Sequence, residues 1–111
     1  MDLSAAVLLL LSYTVTDGDT LRSNGVGVRL WGINAAEKDE PGGRAARRAL
    51  RRVTNGQKLT CEPVGADSYR RILARCATPD GRDIACTMVR QGFARDWPKF
   101  SGGYYADCAR D

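Results

Sequence analysis

A chain of 111 residues with 43% apolar and 27% charged residues suffices for one domain with a single modest core. The absence of histidine excludes His-based acid–base hydrolysis, Ser-His-Asp triads and His-ligated zinc, so hydrolysis would rest on carboxylates, arginines and an oxygen-held cation. Net charge is +4 and arginines far outnumber lysines, which fits either bidentate recognition of a polyanion or the composition of a GC-rich genome.

Residues 1–12 contain an unbroken apolar run, Ala5 to Leu11, too short to span a bilayer. The run reads either as the remnant of a signal peptide or as the lead-in to a first strand. Asp2 and the lack of an A-x-A site weigh against the first reading, and the cysteines favour it. No transmembrane segment is expected.

From Tyr13 to Ile33 the sequence predicts three strands with tight turns at Asp17-Gly18 and Ser23-Asn24-Gly25. Arg29 to Ile33 alternates polar and apolar residues, as a half-buried strand does. Asp19 follows the first turn, and Asn34 and Glu37 follow the third strand. Oxygen ligands for a hard cation beside an arginine for phosphate suit metal-assisted phosphodiester chemistry. Taken alone, Arg29 reads as the ion-pair partner of Glu37, and Asp17 as a turn residue.

Lys38 to Gly43 is a polar loop. A helix is expected from Arg44 to Thr54, closed by Asn55-Gly56, with Ala45, Ala46, Ala49, Leu50 and Val53 facing the core. Arg44, Arg47, Arg48, Arg51 and Arg52 make either a solvated face or a nucleic-acid surface. Lys58–Val64 and Arg71–Thr78 pair as antiparallel strands about Ser68, which sets Cys61 opposite Cys76. A second helix covers Asp83 to Gln91, and the tail from Ser101 forms a short third helix carrying Cys108. Trp97, Phe100, Tyr104 and Tyr105 either stack on bases or anchor the tail. Four cysteines without C-x-x-C spacing fit two disulfides, Cys61–Cys76 and Cys86–Cys108, in an oxidising compartment; buried free thiols in the cytoplasm are the alternative.

Three strands, a helix, two strands and further helices give an α+β, mainly β chain ordered as a five-stranded OB-fold barrel with two to three helices. The chain resembles the staphylococcal nuclease (thermonuclease) family. The resemblance rests on Asp17-Gly18-Asp19-Thr20, Arg29 to Glu37, Asp67-Ser68-Tyr69-Arg70-Arg71 and Met88-Val89-Arg90-Gln91-Gly92. It implies a Ca2+ site on Asp19, residue 34 and the carbonyl of Ala35. It also implies Glu37 acting on the attacking water, Arg29 and Arg71 holding phosphate, and Tyr69 contacting it. The family's aspartate is Asn34, its proline Ala36, and the glycine before Arg71 is Arg70, which adds positive charge for substrate binding. Calcium is therefore expected to bind weakly.

The expectation is a periplasmic or secreted, monomeric, Ca2+-dependent nuclease acting on DNA and RNA. The alternative is a catalytically weakened module that binds nucleic acid or another polyanion. Some family members are tied to acidic exopolysaccharide (succinoglycan) synthesis, which makes a polyanionic sugar a candidate.

Overall fold

The computed structural model describes residues 7–110. Eight strands and three helices follow in order: β1 (Leu8–Leu10), β2 (Thr14–Asp17), β3 (Thr20–Ser23), β4 (Val26–Leu30), β5 (Ile33–Asn34), α1 (Gly43–Thr54), β6 (Leu59–Ala66), β7 (Ile72–Ala77), α2 (Ile84–Arg90), β8 (Arg95–Asp96) and α3 (Pro98–Ser101). A 3-10 turn, Ala106–Ala109, follows α3.

Six strands make one sheet in the order β1-β6-β7-β4-β3-β2. Its outermost strands, β1 and β2, are consecutive in sequence and separated only by Leu11, Ser12 and Tyr13. Four Cα steps reach at most about 14 Å. The two edges must therefore lie close together, and the sheet has to curl. Counted as one interrupted strand, β1 and β2 bring the six-stranded sheet back to the five expected of an OB-like barrel, and the single parallel contact, β4 with β7, fits that topology. Within the 1–12 stretch, Leu8–Leu10 pairs with β6, while residues 1–6 lie outside the described residues.

The expected strand Arg29–Ile33 is interrupted. Gly32 has φ +82, and a Cβ there would come within 3.0 Å of the Tyr105 ring, so the chain bends at Trp31-Gly32. Ile33-Asn34 then leaves the main sheet to pair with β8. The β6–β7 register sets Cys61 against Cys76, with a bulge between Pro63 and Gly65. Both cysteine pairs form disulfides, Cys61–Cys76 across the strands and Cys86–Cys108 between α2 and the tail.

α1 buries Ala46, Ala49, Leu50 and Val53 and ends at Asn55 in the left-handed conformation. Burying a side chain of the size of Leu50 contributes roughly 1.5–3 kcal/mol. The tail departs from the single helix expected from Ser101. Its α-helical turn comes earlier, with Pro98 in the first turn and Gly102 as its C-cap, and Cys108 rides on the later 3-10 turn. Tyr105 is buried, and Trp31 meets Tyr104 and Tyr105 edge-on at 5.5 and 6.0 Å, so these aromatics fasten the tail to the barrel. No described helix is long and apolar enough to cross a membrane.

Candidate active site

Asp19 is the second turn residue of the hairpin β2–β3, just before β3, and is buried. Its Oδ1 accepts from the Thr20 hydroxyl at 3.0 Å and its Oδ2 from the Ala35 N–H at 2.9 Å. The same Oδ2 lies 3.4 Å from the Arg29 guanidinium. Asp19, not Glu37, is thus the carboxylate that Arg29 meets. Burial lowers the Arg29 pKa, Asp19 raises it again, and the neighbouring Arg71 lowers it. An arginine stays cationic throughout the working range regardless. Arg29 also donates to the Leu30 carbonyl at 2.6 Å.

Arg71 sits just before β7, the parallel neighbour of β4, and the register of Val28 with Ile72 sets it near Arg29. Both arginines line one cleft together with Trp31, Tyr69, Trp97 and Phe100. Asp67 fixes the far arginine. Its carboxylate accepts from the Tyr69 and Arg71 N–H groups, both at 2.9 Å, and from the Arg71 Nε at 2.6 Å. Burial pushes the Asp67 carboxyl up, but these bonds together outweigh it and hold the group below the usual carboxylate range. The Arg71 guanidinium lies over the Tyr69 ring at 5.4 Å, and that of Arg29 over Trp97 at 5.8 Å.

A second set of contacts places Glu37. The Ala35 N–H binds Asp19, and the Lys38 N–H binds the Asp17 carboxylate at 3.1 Å. These two tethers lay residues 35–38 along the Asp17-Gly18-Asp19 turn, so Glu37 is held beside it. Asp17 is therefore more than a turn residue. Gly18 permits the close approach, since a Cβ there would meet the Ala46 and Ala35 Cβ atoms at 2.6 and 2.9 Å. Gly43, the first residue of α1, lies so tightly against the Glu37 carbonyl that a Cβ would fall 1.7 Å from its oxygen. Only glycine fits there.

The predicted residues do not all line one cavity. Asn34 is exposed, opposite Arg95 in the β5–β8 pair, and borders a separate hollow with Ala35, Glu40 and Phe93. Among the described residues neither the Asn34 amide nor the exposed Glu37 carboxylate has a side-chain hydrogen bond or ion pair. Arg70 is exposed outside the lining of the arginine cleft, with φ +63 at the position where the family motif carries glycine. Sequence reasoning gave Asp67 no role beyond its place in a motif. Its spacing four residues before Arg71 and the turn-forming habit of aspartate were the available signals.

The curled barrel with a cleft lined by two guanidinium groups defines an OB-like domain with a candidate site on its side. A family model described as staphylococcal nuclease homologue matches residues 27–107, and the chain belongs to that family. Succinoglycan biosynthesis protein ExoI of Rhizobium meliloti (strain 1021) is 31% identical over 116 residues, spanning 95% of this chain and 61% of that protein. Uncharacterized endonucleases of Escherichia coli and Escherichia coli O157:H7 are 34% and 33% identical over 84 residues, or 72% of this chain and 55% of each relative. The chain thus spans between about half and three fifths of these relatives' length.

Proposed function

We propose that this domain hydrolyses phosphodiester bonds in DNA and RNA, with little sequence preference and with Ca2+ as a weakly held cofactor. The observation that carries the reading is the pair of guanidinium groups, Arg29 on β4 and Arg71 just before its parallel neighbour β7, lining one cleft. Each is braced by its own carboxylate, Asp19 or Asp67. Two forked donors at fixed positions suit a phosphate diester and the negative charge that develops on it.

The donors that would hold the cation are the Asp19 carboxylate, the Asn34 amide oxygen and the Ala35 carbonyl. All are oxygen, as a hard cation requires. Asp19 Oδ1 has one hydrogen bond given to it and keeps a further lone pair, whereas Oδ2 accepts from the Ala35 N–H and also faces the Arg29 guanidinium. The set carries one formal charge, and the described residues contain no cluster of three or more His, Cys, Asp or Glu able to hold a metal. Such a site is chemically suitable and electrostatically poor. When bound, the ion would supply Lewis-acid polarisation of the phosphoryl oxygen.

The chain's own groups divide the remaining work. Arg29 and Arg71 bind the diester and spread its charge, with Tyr69 beside Arg71 as a further contact. Glu37, free of competing side-chain partners among the described residues, takes the proton from the attacking water, and the 5′ oxygen leaves on the opposite side. Trp97 and Phe100 offer apolar faces at the cleft wall. Two disulfides support a periplasmic or secreted location, and we read the protein as a monomer.

A second reading, a binding module for a polyanion, is favoured by the missing charge at Asn34 and by the likeness to a protein named for succinoglycan biosynthesis. Nuclease assays across a calcium series separate the two. The wild type is expected to keep gaining activity into the millimolar range, Asn34→Asp to shift the dependence to lower calcium, and Glu37→Gln to lose turnover. Absence of cleavage by both wild type and Asn34→Asp at every concentration would sink the nuclease reading.

A further inference from the structure

The outward face of α1 has no role in the cleft. Four of its residues, Arg44, Arg48, Arg51 and Arg52, are exposed. At i, i+4, i+7 and i+8 they form one stripe about 100° wide, directly opposite the buried Ala46, Ala49, Leu50 and Val53. Arg47, the fifth, belongs elsewhere: it is half-buried and donates to the Val15 carbonyl at 3.3 Å.

The helix contains no acidic residue. Among the described residues none of the four stripe arginines has an ion-pair partner, although Asp39 and Glu40 share a shallow hollow with Arg44 and Arg48. Arg51 and Arg52 are suited to the negative end of the helix dipole. Arg44 is not, since it stands in the first turn at the positive end. Arg48 repels Arg44 and Arg52 at i±4 and Arg51 at i+3. A purely solvated face would gain from one glutamate at any of these positions. Local electrostatics that disfavours the folded helix, with no compensating pair, points to a ligand that supplies the charge.

We infer that this stripe is a second nucleic-acid contact, a track for the phosphate backbone outside the cleft. Four guanidinium groups on one face complement a polyanion, and arginine grips phosphate with a fork. The stripe is also continuous with the candidate site. Gly43, one residue before Arg44, is packed on the Glu37 carbonyl, so the Arg44 end of the stripe begins beside the Glu37 segment. Near its other end the Arg52 guanidinium lies 5.7 Å over the half-buried Phe93 ring, beside Arg95. The choice of nucleic acid over an acidic polysaccharide rests on the phosphodiesterase reading; the existence of a polyanion track does not.

The test is binding of a short double-stranded DNA in EDTA, which removes cleavage from the measurement, followed over a salt series. Variants are the fourfold Arg44→Gln/Arg48→Gln/Arg51→Gln/Arg52→Gln and its Lys counterpart. Glutamine keeps helix propensity and removes charge. The Gln variant is expected to lower the slope of log affinity against log salt by about 3.6, at about 0.9 for each phosphate no longer neutralised. The Lys variant should recover most of that slope. The thermal midpoint of the Gln variant should hold or rise, because the repulsion between like charges is gone. Wild-type affinity and slope in the Gln variant would overturn the inference, as would tighter wild-type binding to an alginate at the same ionic strength. A wild type that binds DNA through this stripe yet never cuts it would leave the track standing and remove the nuclease reading.

Discussion

The two sides of the candidate site are built differently. On the β4–β7 side every charge is already engaged: Arg29 with Asp19, Arg71 with Asp67, and each guanidinium over an aromatic ring. On the side formed by residues 34–38, the backbone is tethered through Ala35 and Lys38. The side chains proposed to act there, Asn34 and Glu37, are exposed. A phosphate clamp benefits from preorganisation, because donors fixed before binding need no reorientation as charge develops. A cation site and a general base need open lone pairs, which only the looser side offers. Asp19 joins the two sides, since one of its oxygens serves Arg29 and Ala35 together.

The largest loss is expected from removing a guanidinium on the rigid side. Arg71→Ala should reduce turnover by about 10²–10³-fold, or ~3–4 kcal/mol, if it resembles loss of another charge-stabilising donor. Steady-state kinetics on DNA under saturating calcium would read it. A variant with unchanged kcat and a raised KM would instead make Arg71 a ground-state binder.

A second cut is made from the tail. Trp97 and Phe100 wall the cleft, and the segment that carries them is held by the Asp96 carboxylate, the Trp31–Tyr104–Tyr105 cluster and Cys86–Cys108. Cys86→Ser/Cys108→Ser should cost about 2–4 kcal/mol in chemical denaturation. Full stability in the double variant would mean that the aromatic cluster alone secures the tail.

Much of this was legible in the sequence, and the reasons are local. Asp17-Gly18 and Asn24-Gly25 are turn dipeptides, so the first hairpins followed directly. The Cys61–Cys76 register followed because a strand pair has a centre that can be counted from its loop. The break at Gly32 was not legible, since it answers to the Tyr105 ring more than seventy residues away. The bracing of Arg71 by Asp67 was hidden for the opposite reason: a carboxylate four residues before an arginine is common, and only the three bonds it accepts show its use. The partner of Arg29 was open because Asp19 and Glu37 are both carboxylates within the same stretch, and chain order does not say which one the barrel turns inward.

The Asp67 clamp predicts a pH dependence. Its pKa is lower in the folded protein than in the unfolded chain, where it is about 3.9. The folded state therefore gains stability from the ionised carboxylate above that value and loses it as pH falls through the lower folded one. Asp67→Asn should cost on the order of 1.5–3 kcal/mol near neutrality, as expected for hydrogen bonds to a charged group. It should also flatten the acid limb of the stability profile below about pH 4. A variant with the wild-type acid limb would assign that limb to other carboxylates.

The smallest expected effect concerns Arg70, next to the clamp but outside the cleft. Its φ of +63 lies in the left-handed region, where an L-residue pays roughly 1–2 kcal/mol and glycine almost nothing. Arg70→Gly relieves that strain, while the freer unfolded chain offsets about 0.5–1 kcal/mol of the gain. The net gain should be on the order of 0.5–1 kcal/mol, measurable as a small rise in the denaturation midpoint at unchanged m-value. The turn itself should persist, because the Asp67 carboxylate and carbonyl hold the Tyr69, Arg70 and Arg71 N–H groups without help from the Arg70 side chain. An Arg70→Gly protein less stable than the wild type would mean that the Arg70 side chain supports the clamp after all. The boundary between the braced and the open halves would then move one residue outward. A stabilised variant with weaker, less salt-sensitive DNA binding would instead make Arg70 a phosphate contact held in place despite backbone strain.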